Sequence, residues 1–160
     1  MKDNHELRQT WRTDPTLFLS LHRIFRFTID ACASKKDALL PRYWTKEQDA
    51  ALQSWKGETV FCNPPFKGVA PIIAKATEAE LTVMVFMLNA LTACYFHKTP
   101  ADYILVPPKR MQFIPPCGLK TSNGTPSFGT CLLVWGEVSE AQERELNGDW
   151  LIYATTTWIH

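Results

Sequence analysis

Residues 81–88 form an almost continuous apolar run, and this run restricts the fold more than any other part of the chain. A strand that is apolar on both faces belongs in the interior of a sheet that is covered on both sides. Tyr103–Val106 and Thr130–Trp135 have the same character, and residues 58–62 are β-branched and apolar. The sequence therefore predicts a sheet with several buried strands. A shorter strand is predicted within residues 27–33.

Helical signals separate these strands. Thr13-Asp14-Pro15 is typical of a helix start, because Thr13 can cap the first turn and proline is tolerated within it. Apolar residues then recur at helical spacing, at positions 17, 21, 24 and 25. Further helices are predicted at residues 45–54, from a capping box, at 69–79 and at 92–98. The alternation predicts a single-domain α/β fold with a mostly parallel sheet flanked by helices.

Bulk properties limit the class of protein. The chain has 160 residues, of which 46% are hydrophobic and 21% charged, as in a globular protein. Residues 1–10 are expected to be a flexible segment, and residues 11–160 one domain. Because no apolar run reaches the length of a membrane span and the N-terminus lacks a secretory signal, we expect a cytoplasmic protein that does not contact membranes.

The cysteines and histidines show no metal-binding pattern. The five cysteines are odd in number and scattered, and they include no C-x-x-C pair; the four histidines are not spaced as ligands. We therefore expect free thiols and no metal. The net charge is only +1, whereas proteins that bind nucleic acid usually have a basic excess. A DNA-binding patch would have to be local, and its candidates are Lys67, Lys98, Lys109, Arg110 and Lys120.

The strand at residues 58–62 ends in Asn63-Pro64-Pro65-Phe66, named here the 63–66 loop. Neither proline can donate to a sheet ladder, so the strand must stop there. In open α/β sheets, ligands bind at the carboxyl ends of strands. The loop is suited to methyl transfer onto the exocyclic amine of adenine. This amine is a poor nucleophile, because its lone pair is delocalised into the ring. An amide oxygen on Asn63 and the carbonyl of Pro64 could hold both amine hydrogens, while Phe66 stacks on the flipped base.

A proline pair alone has little meaning in this chain. Pro107-Pro108 and Pro115-Pro116 are further examples, and the first of these also follows a predicted strand. It has neither the preceding polar residue nor the following aromatic residue of the 63–66 loop. The combination of strand end, asparagine and aromatic ring is what points to methyl transfer onto an amino group.

The full length of the chain resembles the small bacteriophage-type DNA N6-adenine methyltransferases, a Dam-like family. The resemblance runs in order through residues 11–13, 17–18, 25–33, 43–45, 49 with 52, 55–57, 60–66, 110–113 and 126–135. It implies a class I (Rossmann-like) methyltransferase fold, S-adenosylmethionine as cofactor and adenine in double-stranded DNA as substrate. The chain departs from the family at Phe66, where tyrosine is more common, and at residues 30–33, which lack the usual glycine-rich turn.

The expected roles follow from position and resemblance. Asn63, Pro64, Pro65 and Phe66 are the expected catalytic residues. The expected cofactor-binding residues are Trp11, Thr13, Asp30, Ala31 and Asp49. Asp30 ends a predicted strand, where it could meet the amino-acid end or the ribose of the cofactor. Asp49 resembles a residue that contacts the adenosine part, and Trp11 and Thr13 would close over the cofactor. Lys67, Arg110 and the long loop or hairpin expected at residues 107–128 are the candidate DNA contacts.

Structural explanations compete with several of these roles. Asp30 could cap a helix, Asp49 could lie on the solvent face of a short helix, and Thr13 could be no more than an N-cap. Tryptophan is usually a core residue, and a lysine such as Lys67 usually lies on the surface.

Alternatives also remain for the function. The same loop chemistry serves RNA adenines and protein glutamine side chains. A degenerate, non-catalytic DNA-binding protein is the alternative from another class, since the expected cofactor strand lacks the usual glycine-rich turn.

Overall fold

The computed structural model describes residues 11–116 and 128–155. The flexible segment expected at residues 1–10 and half of the 107–128 segment, residues 117–127, lie outside the described residues. The strands are β1 (Arg12–Thr13), β2 (Ile29–Asp30), β3 (Thr59–Cys62), β4 (Leu81–Met87), β5 (Tyr103–Val106), β6 (Phe113–Ile114), β7 (Thr130–Trp135) and β8 (Leu151–Ala154). The helices are α1 (Pro15–Phe25), α2 (Ala70–Lys75), α3 (Cys94–Lys98) and α4 (Glu140–Leu146), with 3₁₀ turns at Ala50–Leu52, Ala76–Glu78 and Leu88–Thr92.

Six strands form one sheet in the order β2-β3-β4-β7-β5-β8, and β1 pairs with β6 in a separate antiparallel ribbon. Only β2–β3 and β3–β4 are parallel, whereas β4–β7, β7–β5 and β5–β8 are antiparallel. The expectation of a mostly parallel sheet is therefore wrong, and the sheet is mixed. A parallel pair needs a long crossover, usually a helix. In the described part of the chain such a helix, α2, joins β3 to β4, but none joins β5 to β7.

The core lies on both faces of the sheet. On one face, α1 and α4 bury Phe18, Leu21 and Leu146 against Phe61 and alternate residues of β4. On the other face, α2 and α3 bury Ile72, Ile73 and Phe96 with the remaining β4 side chains. The first six residues of β4 are all buried. This double cover explains why the strand is apolar on both sides.

Helix α1 begins as its sequence suggests, but with a different cap. Asp14, not Thr13, is the N-cap, and its carboxylate accepts a hydrogen bond of 2.7 Å from the amide of Thr16. Pro15 occupies the first turn, and Arg26 ends the helix in the left-handed conformation. The hydroxyl of Thr13 is therefore not used for capping.

Local patterns located most of the other elements. The predicted strands at Tyr103–Val106 and Thr130–Trp135 are confirmed, and β3, β4 and α2 lie within their predicted ranges. The helix predicted at residues 45–54 is wrong. Only half of its capping box forms, with Thr45 donating to the side chain of Gln48, and Asp49 at φ +52° breaks the chain into a 3₁₀ turn.

Four elements were not predicted from the sequence. They are β1, β6, α4 and β8. Helix α4 does carry a capping box, in which Ser139 and Gln142 bond reciprocally. No helix within the described ranges has the length and apolar character needed to cross a membrane.

We predict that Gly136→Ala destabilises the fold by about 2–4 kcal/mol, because it combines backbone strain with a backbone clash. Gly136 follows β7 at φ +105°, and a Cβ there would lie 2.6 Å from the carbonyl oxygen of Glu80. Gly57→Ala is the matched control: it also has a positive φ, +73°, but open space around it, and should cost only about 1 kcal/mol. Urea unfolding measures both, and equal losses would contradict the packing described here.

Candidate active site

Parallel pairing brings two polar strand ends to one edge of the sheet. In the register of β2 and β3, Ile29 lies beside Val60 and Asp30 beside Phe61. Both strands run in the same direction, so Asp30 and Asn63 meet at the carboxyl edge. A bridge from Asp30 to Tyr43 covers the other side of β2.

A cavity of about 290 Å³ lies at this edge. The structure brings all five expected cofactor-binding residues into its lining, together with two members of the 63–66 loop: Trp11, Thr13, Asp30, Ala31, Asp49, Asn63 and Pro65. Sequence reasoning missed other lining residues, among them Leu39, Lys46 and Ile72. Leu39 contributes a backbone amide, which no side-chain pattern could reveal.

The remaining site candidates lie outside this lining. Pro64 is buried. The ring of Phe66 packs edge-to-face against Phe86 and Phe128, with centroid distances of 6.3 Å and 5.8 Å. Lys67 and Arg110 are both exposed. The loop therefore presents Asn63 and Pro65 to the cavity, while Phe66 belongs to an aromatic cluster next to it.

The side-chain amide of Asn63 is held in one orientation. Its Nδ2 donates to the backbone oxygen of Trp11 at 3.0 Å and to the hydroxyl oxygen of Thr13 at 3.1 Å. A backbone carbonyl can only accept, so the nitrogen must face Trp11. Within the described residues, no donor contacts Oδ1 of Asn63. This oxygen is therefore an available acceptor.

Asp30 is a buried carboxylate, with only 3% of its surface exposed. Burial raises its pKa from 3.8 to about 6, and the negative charge of Asp37 adds to this rise. The amide of Leu39, which donates to Oδ2 at 3.1 Å, and the amide of Cys32 oppose it. No ion pair in the described part of the chain involves Asp30. The residue does not cap a helix, and the carboxylate is largely ionised at neutral pH without a cationic partner.

Two further carboxylates line the cavity. Asp37 accepts from the amide and hydroxyl of Ser34 at 2.6 Å and 2.7 Å. Asp49 is exposed and caps the 3₁₀ turn by accepting from Ala51 at 3.0 Å. Its positive φ is unusual for a residue other than glycine, and such strain is often found at functional sites. With Asp30 these carboxylates outnumber the two cationic lining residues, Arg12 and Lys46, so the cavity suits a ligand that carries positive charge.

The two cysteines beside the cavity are not set up as nucleophiles. Cys62 donates a 3.5 Å hydrogen bond to the sulfur of Cys32. Burial, followed by this contact with Cys32, raises the pKa of the Cys62 thiol well above its ordinary value. The thiol next to Asn63 therefore stays protonated. The described residues contain no group of three or more side chains that could hold a metal ion.

Comparison with known proteins gives a consistent family. A family model described as DNA N-6-adenine-methyltransferase (Dam) matches residues 2–147. The DNA N-6-adenine-methyltransferase of Haemophilus phage HP1 (strain HP1c1) is 24% identical in an alignment of 87 residues that covers 51% of this chain and 50% of that protein. The match thus spans about half the length of the relative.

We predict that Asp30→Asn stabilises the protein at pH 7.5. The folded pKa of about 6 lies above the ordinary 3.8, so the native state binds more protons than the unfolded state between these values. Stability therefore falls as the pH rises from about 4 to above 6. At 1.36 kcal/mol per pKa unit the cost at neutral pH is up to about 3 kcal/mol, and the variant escapes it.

Urea unfolding at pH 4 and pH 7.5 tests this expectation. The advantage of Asp30→Asn should disappear at pH 4. Asp149→Asn, at an exposed position, is the control and should change stability by less than about 0.5 kcal/mol at either pH. A destabilised Asp30→Asn variant at pH 7.5 would contradict the raised pKa of Asp30.

Proposed function

The chain belongs to the DNA N-6-adenine-methyltransferase family, and we propose that it transfers a methyl group from S-adenosylmethionine to the N6 amino group of adenine in double-stranded DNA. The observation that carries this proposal is the fixed amide of Asn63. Its nitrogen is engaged by Trp11 and Thr13, so its oxygen is left for a substrate amine. The site lies at the carboxyl edge of the parallel strands, where open α/β sheets bind ligands.

The 63–66 loop acts on the nucleophile. Oδ1 of Asn63 accepts one hydrogen of the N6 amine and the carbonyl of Pro64 accepts the other, so the nitrogen lone pair is drawn out of conjugation with the ring. The two prolines restrict the backbone and keep the carbonyl in place. Neither acceptor is basic enough to retain a proton, so the proton lost from N6 passes to water. The rate comes from positioning rather than from a covalent intermediate.

Phe66 holds the face of the base. Its ring is fixed by edge-to-face contacts with Phe86 and Phe128, and a fixed ring loses little entropy when a base stacks on it. A base must leave the helix to reach such a loop, as in other enzymes that modify bases.

The acidic cavity fits the cofactor. S-adenosylmethionine, when bound, supplies an electrophilic methyl group on a positively charged sulfur. Asp30, buried and without an ion-pair partner among the described residues, offers the negative charge that a cationic ligand needs. Ala31, Asp49 and Trp11 line the same cavity, and we assign Asp49 to the adenosine part and Trp11 to closing over the cofactor.

Lys67 and Arg110 are proposed to contact phosphates of the duplex, and the 107–128 segment to read the bases. Both cations are exposed, and Lys67 directly follows the catalytic loop. The protein is proposed to meet its DNA substrate in the cytoplasm, which is that of the host cell if the protein is phage-encoded. The fold is proposed to be of class I, Rossmann-like type, which the parallel β2–β3–β4 unit and its edge cavity support.

Family membership favours DNA adenine over the other amino groups that the same loop chemistry serves, those of RNA adenine and protein glutamine. It also favours catalysis over a degenerate binding protein. The presence of all five expected cofactor-binding residues in the cavity lining supports the same choice.

We predict that Asn63→Ala lowers the methylation rate at least 1,000-fold and leaves the affinity for S-adenosylmethionine within about twofold. The variant loses the acceptor for the amine but none of the carboxylates that line the cavity. Transfer of a tritiated methyl group to duplex DNA measures the rate, and calorimetric titration measures the affinity. Asn147→Ala is the control, because this exposed asparagine ends α4 away from the cavity lining. An active Asn63→Ala variant would remove the proposed role of the loop.

The affinity for S-adenosylmethionine should also depend on pH through Asp30. Protonation below its pKa of about 6 removes the negative charge, so affinity should be weak at pH 5, rise through pH 6 and level off above pH 7. Asp30→Asn should bind weakly with little change over this range. Titration calorimetry at several pH values tests this, and a wild-type affinity that is constant from pH 5 to pH 7 would contradict it.

A further inference from the structure

A side-chain amide is a catalytic acceptor only if it faces the right way. The oxygen and nitrogen of an asparagine amide are nearly equal in size, and a rotation of 180° about the last bond exchanges them. For the amine substrate of the proposed function, one orientation of Asn63 offers an acceptor and the other offers a donor, which repels the amine hydrogens. Some part of the protein must select between them.

The carbonyl of Trp11 makes the selection, because it can only accept, whereas the hydroxyl of Thr13 can donate or accept and adds a second hydrogen bond to the selected orientation. Nδ2 of Asn63 lies 3.0 Å from the oxygen of Trp11 and 3.1 Å from Oγ1 of Thr13. These partners are about fifty residues away in the sequence. The orientation of Asn63 is thus a tertiary property and is not built into the 63–66 loop.

Thr13 is itself held firmly. Only 5% of its surface is exposed, and it pairs with Phe113 in the β1–β6 ribbon. Phe113 is in turn buried in the core on the α1 face of the sheet. Since Asp14 caps α1, the helix start makes no demand on the hydroxyl of Thr13. That hydroxyl is therefore available to hold Asn63.

We propose that Thr13 is a positioning residue: its hydroxyl oxygen accepts from Nδ2 of Asn63 and holds the amide in the orientation that the carbonyl of Trp11 selects, with Oδ1 presented to the substrate amine. The effect on methylation rests on the proposed function, whereas the hydrogen bond between Asn63 and Thr13 rests on geometry alone. It gives Thr13 a role distinct from cofactor binding, even though the residue lines the same cavity. Of the two anchors, only Thr13 can be removed by changing a side chain.

Replacement of Thr13 tests the assignment. Thr13→Val keeps the shape but removes the acceptor, and Thr13→Ser restores it. Single-turnover methylation with saturating DNA and S-adenosylmethionine should be about tenfold slower in Thr13→Val, which corresponds to one hydrogen bond of about 1.4 kcal/mol. It should return to within about threefold of wild type in Thr13→Ser. The dissociation constant for S-adenosylmethionine should change by less than about twofold in both.

The control is another buried threonine whose hydroxyl makes a structural bond. Thr82 is fully buried in β4 and donates to the carbonyl oxygen of Ala76 at 2.9 Å. Thr82→Val should lower thermal stability and leave the single-turnover rate unchanged. If Thr13→Val does not fold, Thr13→Ala removes the same acceptor with less bulk and carries the same expectation.

A second readout separates this proposal from the proposed function. In ¹⁵N NMR spectra, the side-chain amide signal of Asn63, identified by its loss in Asn63→Ala, should shift in Thr13→Val and return in Thr13→Ser. If the wild type does not methylate adenine but this shift occurs, the proposed function fails and the contact stands. If the wild type is active and Thr13→Val keeps its full rate, or loses only cofactor affinity, the positioning role is overturned.

Discussion

The parallel pairing of β2 with β3 is the interaction on which the site depends. It places Asp30 beside Phe61. The carboxylate of Asp30 and the side chain of Asn63, two residues after Phe61, therefore meet at one edge of the sheet although they are distant in the chain. The pair is secured from both faces, because Phe61 packs on the α1 side and Cys62 on the α2 side. A rigid sheet thus carries irregular loops that supply the chemistry, as in many α/β proteins.

Several features of the site oppose stability. Asp30 is buried without an ion-pair partner among the described residues, and Asp49 adopts a positive φ. Such features persist when the surrounding structure is stable enough to hold them. Here the apolar cover on both faces of β4 provides that stability. A cationic ligand would relieve the strain at Asp30, and cofactor binding and folding stability should therefore be coupled.

The sequence allowed much of this to be predicted. The apolar runs located β4, β5 and β7. Strands β4 and β7 are apolar because both of their faces are buried, whereas β5 is only partly buried. The strand end at Asn63 and the acidic residue at position 30 were also visible locally. The mixed sheet was not, because the alternation of strands and helices says nothing about where β7 inserts. The hydrogen bond from Asn63 to Thr13 was not visible either, because it joins segments about fifty residues apart.

Nucleoside analysis tests most directly whether the methyl group is transferred to N6 of adenine. Duplex DNA would be incubated with the protein and S-adenosylmethionine that carries a deuterated methyl group, then digested and separated for mass analysis. We predict that the deuterated methyl label appears on N6-methyl-2′-deoxyadenosine alone. Label on cytosine, or no label from protein that binds both DNA and the cofactor, would contradict it.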